Sequence, residues 1–544
     1  MTNGHARWVV ATGLFAAGLA VVAGTFVSPA AAQGPVADPL LPKDADDVST
    51  GYTACSLCHA VEYPIDVAKN QFAKKYASHE FVRLSEGNTW NREDPHSQAH
   101  KVLESKLGQQ MKQLLKYDVA KAPQCLTCHA IDVAPGLSPE KKKAEHFETS
   151  EGITCNACHG LRPNWQKAHY DEKGGTIRWR LYTPEKKRDE GLRNLRDPHV
   201  RAELCASCHV GSAAAGKVVT HDMYAAGHPP LPPFELATFM ESQPKHWGYP
   251  TDPELKFFSQ AGADKFAAQA KKDLPENWRW SLYRFHPTDD EVYIARSVTA
   301  GAVASLKAEM EMLADDANRA GGKDWEGIDY ARFDCYACHH DLKVPSDRQQ
   351  RGYDDGKPGR PPMKAWLGAL PGVVAEHAAT LAPLAATAKE FPAKWGAVRA
   401  AAVARPFGDP ERLKEAAGAM AAWCDDFLKK SEADGKPLYS KAESKKLLDA
   451  IGTAATSKRW TADPEAAMHL TWAYLSLRDG MGLATRVGDR DELGKTVPLR
   501  VRATPYSRND LPVPAGEAIG PRLRLFAAFK SDDFTARFQQ LLKK

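Results

Sequence analysis

Cys125-Leu126-Thr127-Cys128-His129 and Cys155-Asn156-Ala157-Cys158-His159 are two copies of one short motif, and the chain contains five copies. The other three are Cys55-Ser56-Leu57-Cys58-His59, Cys205-Ala206-Ser207-Cys208-His209 and Cys335-Tyr336-Ala337-Cys338-His339. The five copies use ten of the eleven cysteines. This spacing is the attachment signal for c-type haem, in which two thiols bind one porphyrin and the histidine ligates its iron. The sequence therefore predicts five covalently attached haems.

Other uses of paired cysteines fit this pattern less well. Structural zinc needs four ligands and so usually takes two Cys-x-x-Cys pairs together. A thioredoxin-like redox pair requires no following histidine. A disulfide framework is common in exported chains, but here haem uses the thiols in pairs. The cysteine left over, Cys424, lies in an amphipathic stretch and is expected to be a small buried apolar residue.

The first residues resemble an export signal. His5 and Arg7 precede an apolar run from Trp8 to Phe26, and the small residues 28–32 lead to a predicted cleavage site before Gln33. The run is of borderline length for a membrane span, so an uncleaved anchor is the alternative. We expect residues 1–32 to be a cleaved signal peptide, with no stable membrane span afterwards and a periplasmic location.

The charge balance gives no support to nucleic-acid binding. The chain has 72 Lys and Arg against 68 Asp and Glu, a net charge of +4, and cleavage of the leader removes Arg7 without removing an acid. Each haem adds two propionates, so the loaded surface need not be basic. The run Lys141-Lys142-Lys143 is most simply a solvated face. The partners expected of such a chain are a redox donor and a redox acceptor, and its oligomeric state is open.

The haem motifs are unevenly spread along the chain. Four lie between Cys55 and His209, the fifth follows at Cys335, and none occurs after it. The first stretch is rich in turns and poor in strand-like runs, so haem should form much of its core and its folding should depend on haem. We predict a mainly α fold with few strands. Residues 33–350 form a haem-wrapping multihaem domain, and residues 351–544 form a haem-free, bundle-like helical region.

Several helices can be read from apolar spacing and capping residues. The segment 291–318 is predicted to be helical and to pack beside the fifth haem. Its apolar residues recur three and four positions apart: Val292, Ala295, Val298, Ala302, Leu306, Met310 and Leu313. Three later helices are predicted to start at Asp409-Pro410, at the capping box from Ser440 to Glu443, and at Asp463-Pro464.

The sixth ligand of each iron decides whether a haem only carries electrons or also binds small molecules. No methionine lies in an axial-ligand context, which favours a second histidine. His96 follows Asp94-Pro95, and His169 follows the third motif closely. His221 and His228 flank a short segment, and Pro229 and Pro230 fix the direction of the second. These four histidines are the predicted distal ligands.

The fifth haem has the least certain distal ligand. His340 adjoins the proximal His339 and should point away from the same iron. His286, His377 or no residue at all remain open for this position. The other histidines are expected to be structural: His100, His146, His199, His246 and, inside a buried helix, His469.

The part of the chain from Thr53 to His340 resembles the multihaem cytochrome c-554 family. The resemblance rests on the segments 124–129, 151–160, 205–211 and 226–229 and on His96 between the first two motifs. It implies a mostly helical periplasmic fold with closely stacked, mainly bis-histidine haems, and it allows for one five-coordinate haem. The family's type member has four haems, so the fifth motif departs from the pattern, and the resemblance does not cover residues 351–544.

Three functions fit these observations. The first is a periplasmic carrier that passes electrons between redox partners. The second is a multihaem oxidoreductase that acts on nitrite, hydroxylamine, nitric oxide or a sulfur compound at an open haem. Pentahaem nitrite reductases typically use lysine at the active-site motif, whereas every motif here ends in histidine, which favours the carrier. The third is a non-catalytic subunit that the helical region docks into a larger respiratory complex.

Overall fold

The computed structural model describes most of the chain after the leader. The described residues are 51–60, 85–130, 149–160, 184–246, 291–320, 327–340, 358–433, 436–483, 485–499 and 520–543, with isolated positions within 165–169 and 342–352. The predicted signal peptide and its cleavage site lie outside these residues.

Short helices carry most of the haem motifs. In chain order they are α1 (Tyr52–His59), α2 (Glu86–Glu93), α3 (Lys106–Leu115), α4 (Pro123–His129), α5 (Cys155–His159), α6 (Pro184–Asp189), α7 (Pro198–His209), α8 (His221–Ala226) and α9 (Leu236–Ser242). Five 3-10 turns accompany motif-bearing segments, at Pro95–Gln98, Lys101–Glu104, Thr149–Glu151, Tyr330–Arg332 and Cys335–Ala337.

Longer helices dominate the remainder. They are α10 (Tyr293–Ala320), α11 (Trp366–Ala378), α12 (Ala385–Lys389), α13 (Phe391–Ala404), α14 (Pro410–Ala433), α15 (Lys441–Ala454), α16 (Lys458–Thr461), α17 (Pro464–Gly480), α18 (Val487–Gly494), α19 (Gly520–Ala528) and α20 (Ser531–Leu542), with a 3-10 turn at Lys436–Tyr439. We call residues 358–543 the C-terminal helical region.

The prediction of a mainly α fold is confirmed. Within the described residues, β pairing is limited to isolated bridges at Ser212 with Lys217, Glu291 with Ser440, and Phe333 with Met363. No helix in the same part of the chain is both long enough and apolar enough to cross a bilayer.

Four of the five motifs end a helix, and the fifth lies on a 3-10 turn. The helices α1, α4, α5 and α7 all finish at the motif histidine. Residues three and four positions apart lie on the same side of a helix. In the motifs on α4, α5 and α7, the two cysteines and the histidine therefore lie on one side of the helix, as attachment to a single porphyrin requires.

Helix α10 forms the centre of the larger apolar core. It spans Tyr293–Ala320, close to the predicted 291–318, and it packs lengthwise against α14 and α7. One continuous core runs from Ala202 on α7 to Leu541 on α20 and includes the fully buried Cys424. The predicted boundary near residue 350 therefore does not coincide with a break in the core.

The predicted helix starts in the C-terminal helical region carry the expected caps. The Asp463 carboxylate accepts hydrogen bonds from the backbone N–H groups of Glu465 and Ala466, both at 2.9 Å. The Ser440 hydroxyl accepts one from the Glu443 N–H at 3.2 Å. Only this half of the capping box forms, because the Glu443 carboxylate instead lies 2.7 Å from Lys446.

A buried group of charges joins α10 to the peptide that precedes the fifth motif. Arg332 is 2% exposed and lies 3.3 Å from both Glu309 and Asp316 on α10. Lys364 lies 3.2 Å from Glu309. Arg332 also donates a hydrogen bond of 3.1 Å to the Val219 carbonyl. Buried charges need such partners, because an uncompensated one is strongly destabilising.

We expect Asp316→Asn to change how stability depends on pH. Burial raises the pKa of Asp316 from its ordinary 3.8 to about 6, against the opposing charges of Arg332 and Arg319. A carboxyl group whose pKa is raised by folding destabilises the folded state as pH increases from about 4 to about 6. Over that interval the variant should gain thermal stability relative to the wild type. Circular dichroism melts at several pH values test this, and a constant difference in melting temperature would contradict it.

Candidate functional site

Four of the five motif histidines face a second histidine across gaps of nearly equal size. We number the sites 1 to 5 in the order of their motifs. The facing pairs, with the distance between ring centres, are His59 and His169 (6.3 Å, site 1), His129 and His228 (6.3 Å, site 2), His209 and His96 (6.1 Å, site 4), and His339 and His221 (6.2 Å, site 5). The four partners are the four histidines predicted from the sequence as distal ligands.

The gap matches what two imidazoles on one metal require. A histidine nitrogen binds a metal at about 2 Å, and the nitrogen lies about 1 Å from its ring centre, so two rings on opposite sides of one metal have centres about 6 Å apart. Direct ring stacking or a hydrogen bond between the rings would bring them closer. The residues present therefore fit an iron between each pair.

Hydrogen bonds at the other ring nitrogen orient several of these histidines. The distances from Nδ1 to its partner are 3.1 Å for His59 and the Glu86 carboxylate, 2.8 Å for His96 and the Asp94 carboxylate, 2.8 Å for His129 and the Ala99 carbonyl, and 2.8 Å for His228 and the Pro229 carbonyl. Metal-binding histidines commonly donate their second ring N–H to a carboxylate or carbonyl in this way. Nε2 is then the nitrogen directed at the metal.

Three other histidines use Nε2 within the protein. The distances are 3.3 Å from His100 to the Ala120 carbonyl, 2.9 Å from His199 to the Ser431 hydroxyl, and 3.0 Å from His469 to the Phe234 carbonyl. A nitrogen engaged in this way has no lone pair for iron. The geometry therefore agrees with the structural role predicted for these three residues.

The Asp-Pro-His segments at 94–96 and 197–199 have the same local geometry but different surroundings. In each, the aspartate accepts hydrogen bonds from the histidine N–H, at 3.0 Å and 2.8 Å, and contacts its Nδ1, at 2.8 Å and 3.1 Å. This arrangement fixes the ring and turns Nε2 away from the aspartate. Nε2 of His96 then faces site 4, whereas Nε2 of His199 faces Ser431 on α14.

Burial keeps most of the site histidines neutral, which is the form that binds metals. Burial lowers the pKa of His159 to about 3 and those of His209 and His228 to about 4. Burial is the largest single influence on His96 and lowers its pKa, but the hydrogen bond to Asp94 and the negative charge of that carboxylate together outweigh burial, so the pKa is raised. The role of Asp94 in orienting His96 was not predicted from the sequence, although an aspartate two residues before a histidine and next to a proline is a pattern that could have indicated it.

The cysteine side chains bring neighbouring sites together. Those that the structure describes are all free thiols, so none of them is in a disulfide. The Cys55 thiol is hydrogen-bonded to Cys155, and the Cys128 thiol is hydrogen-bonded to Cys208. Sites 1 and 3 are therefore adjacent, as are sites 2 and 4.

Site 3 differs from the other four. Within the described part of the chain, no histidine ring faces His159 at the 6 Å separation found elsewhere. His246 is the charged group that acts most strongly on His159, after burial itself. His246 was expected to be structural, and its proximity to a motif histidine could not be read from the sequence.

At site 5, the histidine that faces the motif histidine was not considered for this site in the sequence analysis. It is His221, whose ring centre lies 6.2 Å from that of His339. Of the alternatives left open, His377 lies 3.7 Å from Glu443, where α11 meets α15, and His286 lies outside the described residues.

An aromatic ring adjoins the distal or proximal histidine at each paired site. The distances between ring centres are 5.3 Å for Trp165 and His169, 5.9 Å for Tyr224 and His228, 4.9 Å for Phe239 and His209, and 5.5 Å for Tyr330 and His221. These aromatic residues would line the pockets of haems held at the paired sites. They were not predicted, because no local pattern marks them.

Comparison with known proteins identifies part of the chain. Residues 54–160 match the family model described as cytochrome c554 and c-prime. This segment contains three of the five motifs, together with His96. No curated protein and no solved structure matches the chain significantly.

Proposed function

Because residues 54–160 of this chain match the model of the cytochrome c554 and c-prime family, we propose that the whole protein is a pentahaem electron carrier. The family segment makes the chain a c-type cytochrome with a redox role. The observation that carries the larger proposal is the set of four histidine pairs at 6.1–6.3 Å, each of which includes at least one histidine beyond residue 160 and one of which, His339 with His221, lies wholly beyond it.

The proposed cofactors are five covalently attached haem c groups. The attaching residues are Cys55 and Cys58, Cys125 and Cys128, Cys155 and Cys158, Cys205 and Cys208, and Cys335 and Cys338, and the proximal ligands are His59, His129, His159, His209 and His339. When bound, each haem supplies a one-electron iron couple. The distal ligands are His169 for site 1, His228 for site 2, His96 for site 4 and His221 for site 5.

The contacts between sites support one linear order, 1–3–4–2–5. The thiol contacts join site 1 to site 3 and site 2 to site 4. Burial raises the pKa of Cys205 to about 12, and the nearby thiol of Cys158 raises it further. Cys158 belongs to site 3 and Cys205 to site 4, so these two sites are neighbours. Helix α8 joins site 2 to site 5, because it begins at His221 and is followed closely by His228. Sites 1 and 5 are then the two ends for electron entry and exit.

The proposed partners are a redox protein that donates electrons and another that accepts them. A periplasmic location is supported by the leader-like first residues and by haem chemistry that takes place after export. Neither the charge balance nor the fold suggests a role in nucleic-acid binding.

An open iron at site 3 supports a second candidate function. If His246 does not bind the iron of site 3, that iron has a free position at which nitrite, hydroxylamine or nitric oxide could react. The carrier remains the better supported function, because the other four sites each have two facing imidazoles.

Spectroelectrochemical titration of the purified holoprotein tests the carrier function. We expect five one-electron steps per molecule, rapid oxidation and reduction by small redox mediators, and no catalytic current when nitrite, hydroxylamine or nitric oxide is added. A sustained catalytic current with any of these compounds would favour the oxidoreductase. Fewer than five electrons per molecule would contradict the pentahaem proposal.

A further inference from the structure

We propose that the C-terminal helical region is the scaffold of site 5, with Phe407, Phe526 and Arg522 forming part of that haem pocket. The inference rests on the proposed function, since it requires a haem at Cys335–His339. It assigns a role to a part of the chain that contains no haem motif of its own.

The peptide that carries the fifth motif is bound directly to this region. The Asp334 N–H donates a hydrogen bond of 2.9 Å to the Pro362 carbonyl, and Phe333 forms an antiparallel bridge with Met363. Tyr336, inside the motif, stacks on Phe526 of α19 with ring centres 5.0 Å apart and planes 22° apart. The fifth motif is thus held by the backbone just before it and by the side chain of Tyr336, one of the two residues between its cysteines.

Phe407 reaches the distal side of the same site from the turn between α13 and α14. Its ring centre lies 4.6 Å from Tyr330, whose own ring meets His221 edge-on at 5.5 Å. Without haem, Tyr330 is 53% exposed and Phe407 is 36% exposed. Tyr330 lies beside His221, Phe407 lies beside Tyr330, and both rings are exposed enough for a haem held between His221 and His339 to contact them.

The backbone of Phe407 indicates that this position is constrained. Its φ is +63°, in the left-handed region that bulky side chains rarely adopt, and Gly408 follows at +87°. Such strain persists where the surrounding structure enforces it, often at a binding site. Glycine would adopt this backbone conformation without strain, so a requirement for the aromatic ring explains why phenylalanine occupies the position.

A buried cation adjoins the attachment point. Arg522 on α19 donates a hydrogen bond of 3.1 Å to the Leu231 carbonyl and forms an ion pair with the buried Glu465 of α17. Arg522 lies one turn before Phe526 on the same side of α19, and Phe526 stacks on Tyr336 inside the motif. By contrast, the side-chain partners of motifs 1 to 3 described above all lie between residues 51 and 246. The influence of the region should therefore be larger at site 5 than at sites 1 to 3.

Redox titration of full-length Phe407→Ala holoprotein tests the inference. Removing the ring admits water to one porphyrin, which favours the charged ferric form. We expect the midpoint potential of one haem out of five to fall while the other four stay unchanged. Phe407→Tyr keeps the ring and should restore the wild-type potentials. Phe538→Ala removes a fully buried ring elsewhere in the region and should lower the melting temperature while leaving all five potentials in place.

Two results would overturn the inference. One is a Phe407→Ala protein with five unchanged potentials, and the other is a Phe538→Ala protein that shifts the same haem as Phe407→Ala does. The haem content of the wild type, from its pyridine haemochrome spectrum, separates these results from a failure of the proposed function. Four haems with free thiols at Cys335 and Cys338 would contradict the pentahaem proposal itself.

Discussion

Replacing His96 with alanine will convert one of the five haems from low spin to high spin. The His96 ring is the partner of His209 at 6.1 Å, and its Nδ1 hydrogen bond to Asp94 directs Nε2 toward site 4. Without it the iron of site 4 retains a single protein ligand and can bind added ligands such as nitric oxide. Electron paramagnetic resonance and the visible spectrum of the ferric variant should show one new high-spin iron and a loss of one low-spin iron.

His199→Ala is the matched control. His199 has the same Asp-Pro-His context and the same contact with its aspartate, but its Nε2 contacts Ser431 instead of facing a motif histidine. We expect this variant to keep the wild-type spin states. If the two variants give the same spectra, the assignment of His96 as the distal ligand of site 4 is wrong.

Arg332→Met should cost about 3–5 kcal/mol of folding stability, the usual effect of leaving buried opposite charges without their partner. Arg332 is the shared cation between Glu309 and Asp316, both of which are almost fully buried on α10. Methionine fills a similar space but provides neither the charge nor the hydrogen bond to the Val219 carbonyl. Urea unfolding of the holoprotein, followed by far-ultraviolet circular dichroism, measures the change.

Arg319→Met provides the comparison for this prediction. Arg319 also contacts Asp316, but its side chain is 49% exposed, and ion pairs of exposed side chains contribute at most about 1 kcal/mol. We expect its effect to be much smaller than that of Arg332→Met. If Arg319→Met and Arg332→Met lowered the free energy of unfolding equally, burial of the ion pair would not determine how much it stabilises the fold.

Local sequence patterns were sufficient for the features that depend on a few adjacent residues. The haem motifs, the cap at Asp463 and the extent of α10 all follow from spacing within a single segment. The four histidines chosen for their apolar or proline-fixed settings are also the four that face motif histidines. Such settings are informative because a fixed ring costs less entropy to bind.

The features that could not be predicted from the sequence are those that depend on packing between distant segments. Nothing near His221 indicates that the motif histidine it faces is His339, more than a hundred residues away, rather than the histidine of an earlier motif. The segments at His96 and His199 are locally alike, and only the position of α14 against α7 distinguishes them. The contribution of Phe407 to site 5 likewise depends on how two distant segments pack.

Electron paramagnetic resonance of the fully loaded ferric protein tests the central claim, that four of the five irons each lie between two histidines. The account predicts at least four low-spin irons of two kinds. The ring planes are nearly parallel at sites 1 and 5, at 26° and 23°, and nearly perpendicular at sites 2 and 4, at 79° and 81°. Perpendicular imidazoles give the more anisotropic low-spin signals, so two irons of each kind are expected. Two or more high-spin irons in the wild-type protein would contradict the account.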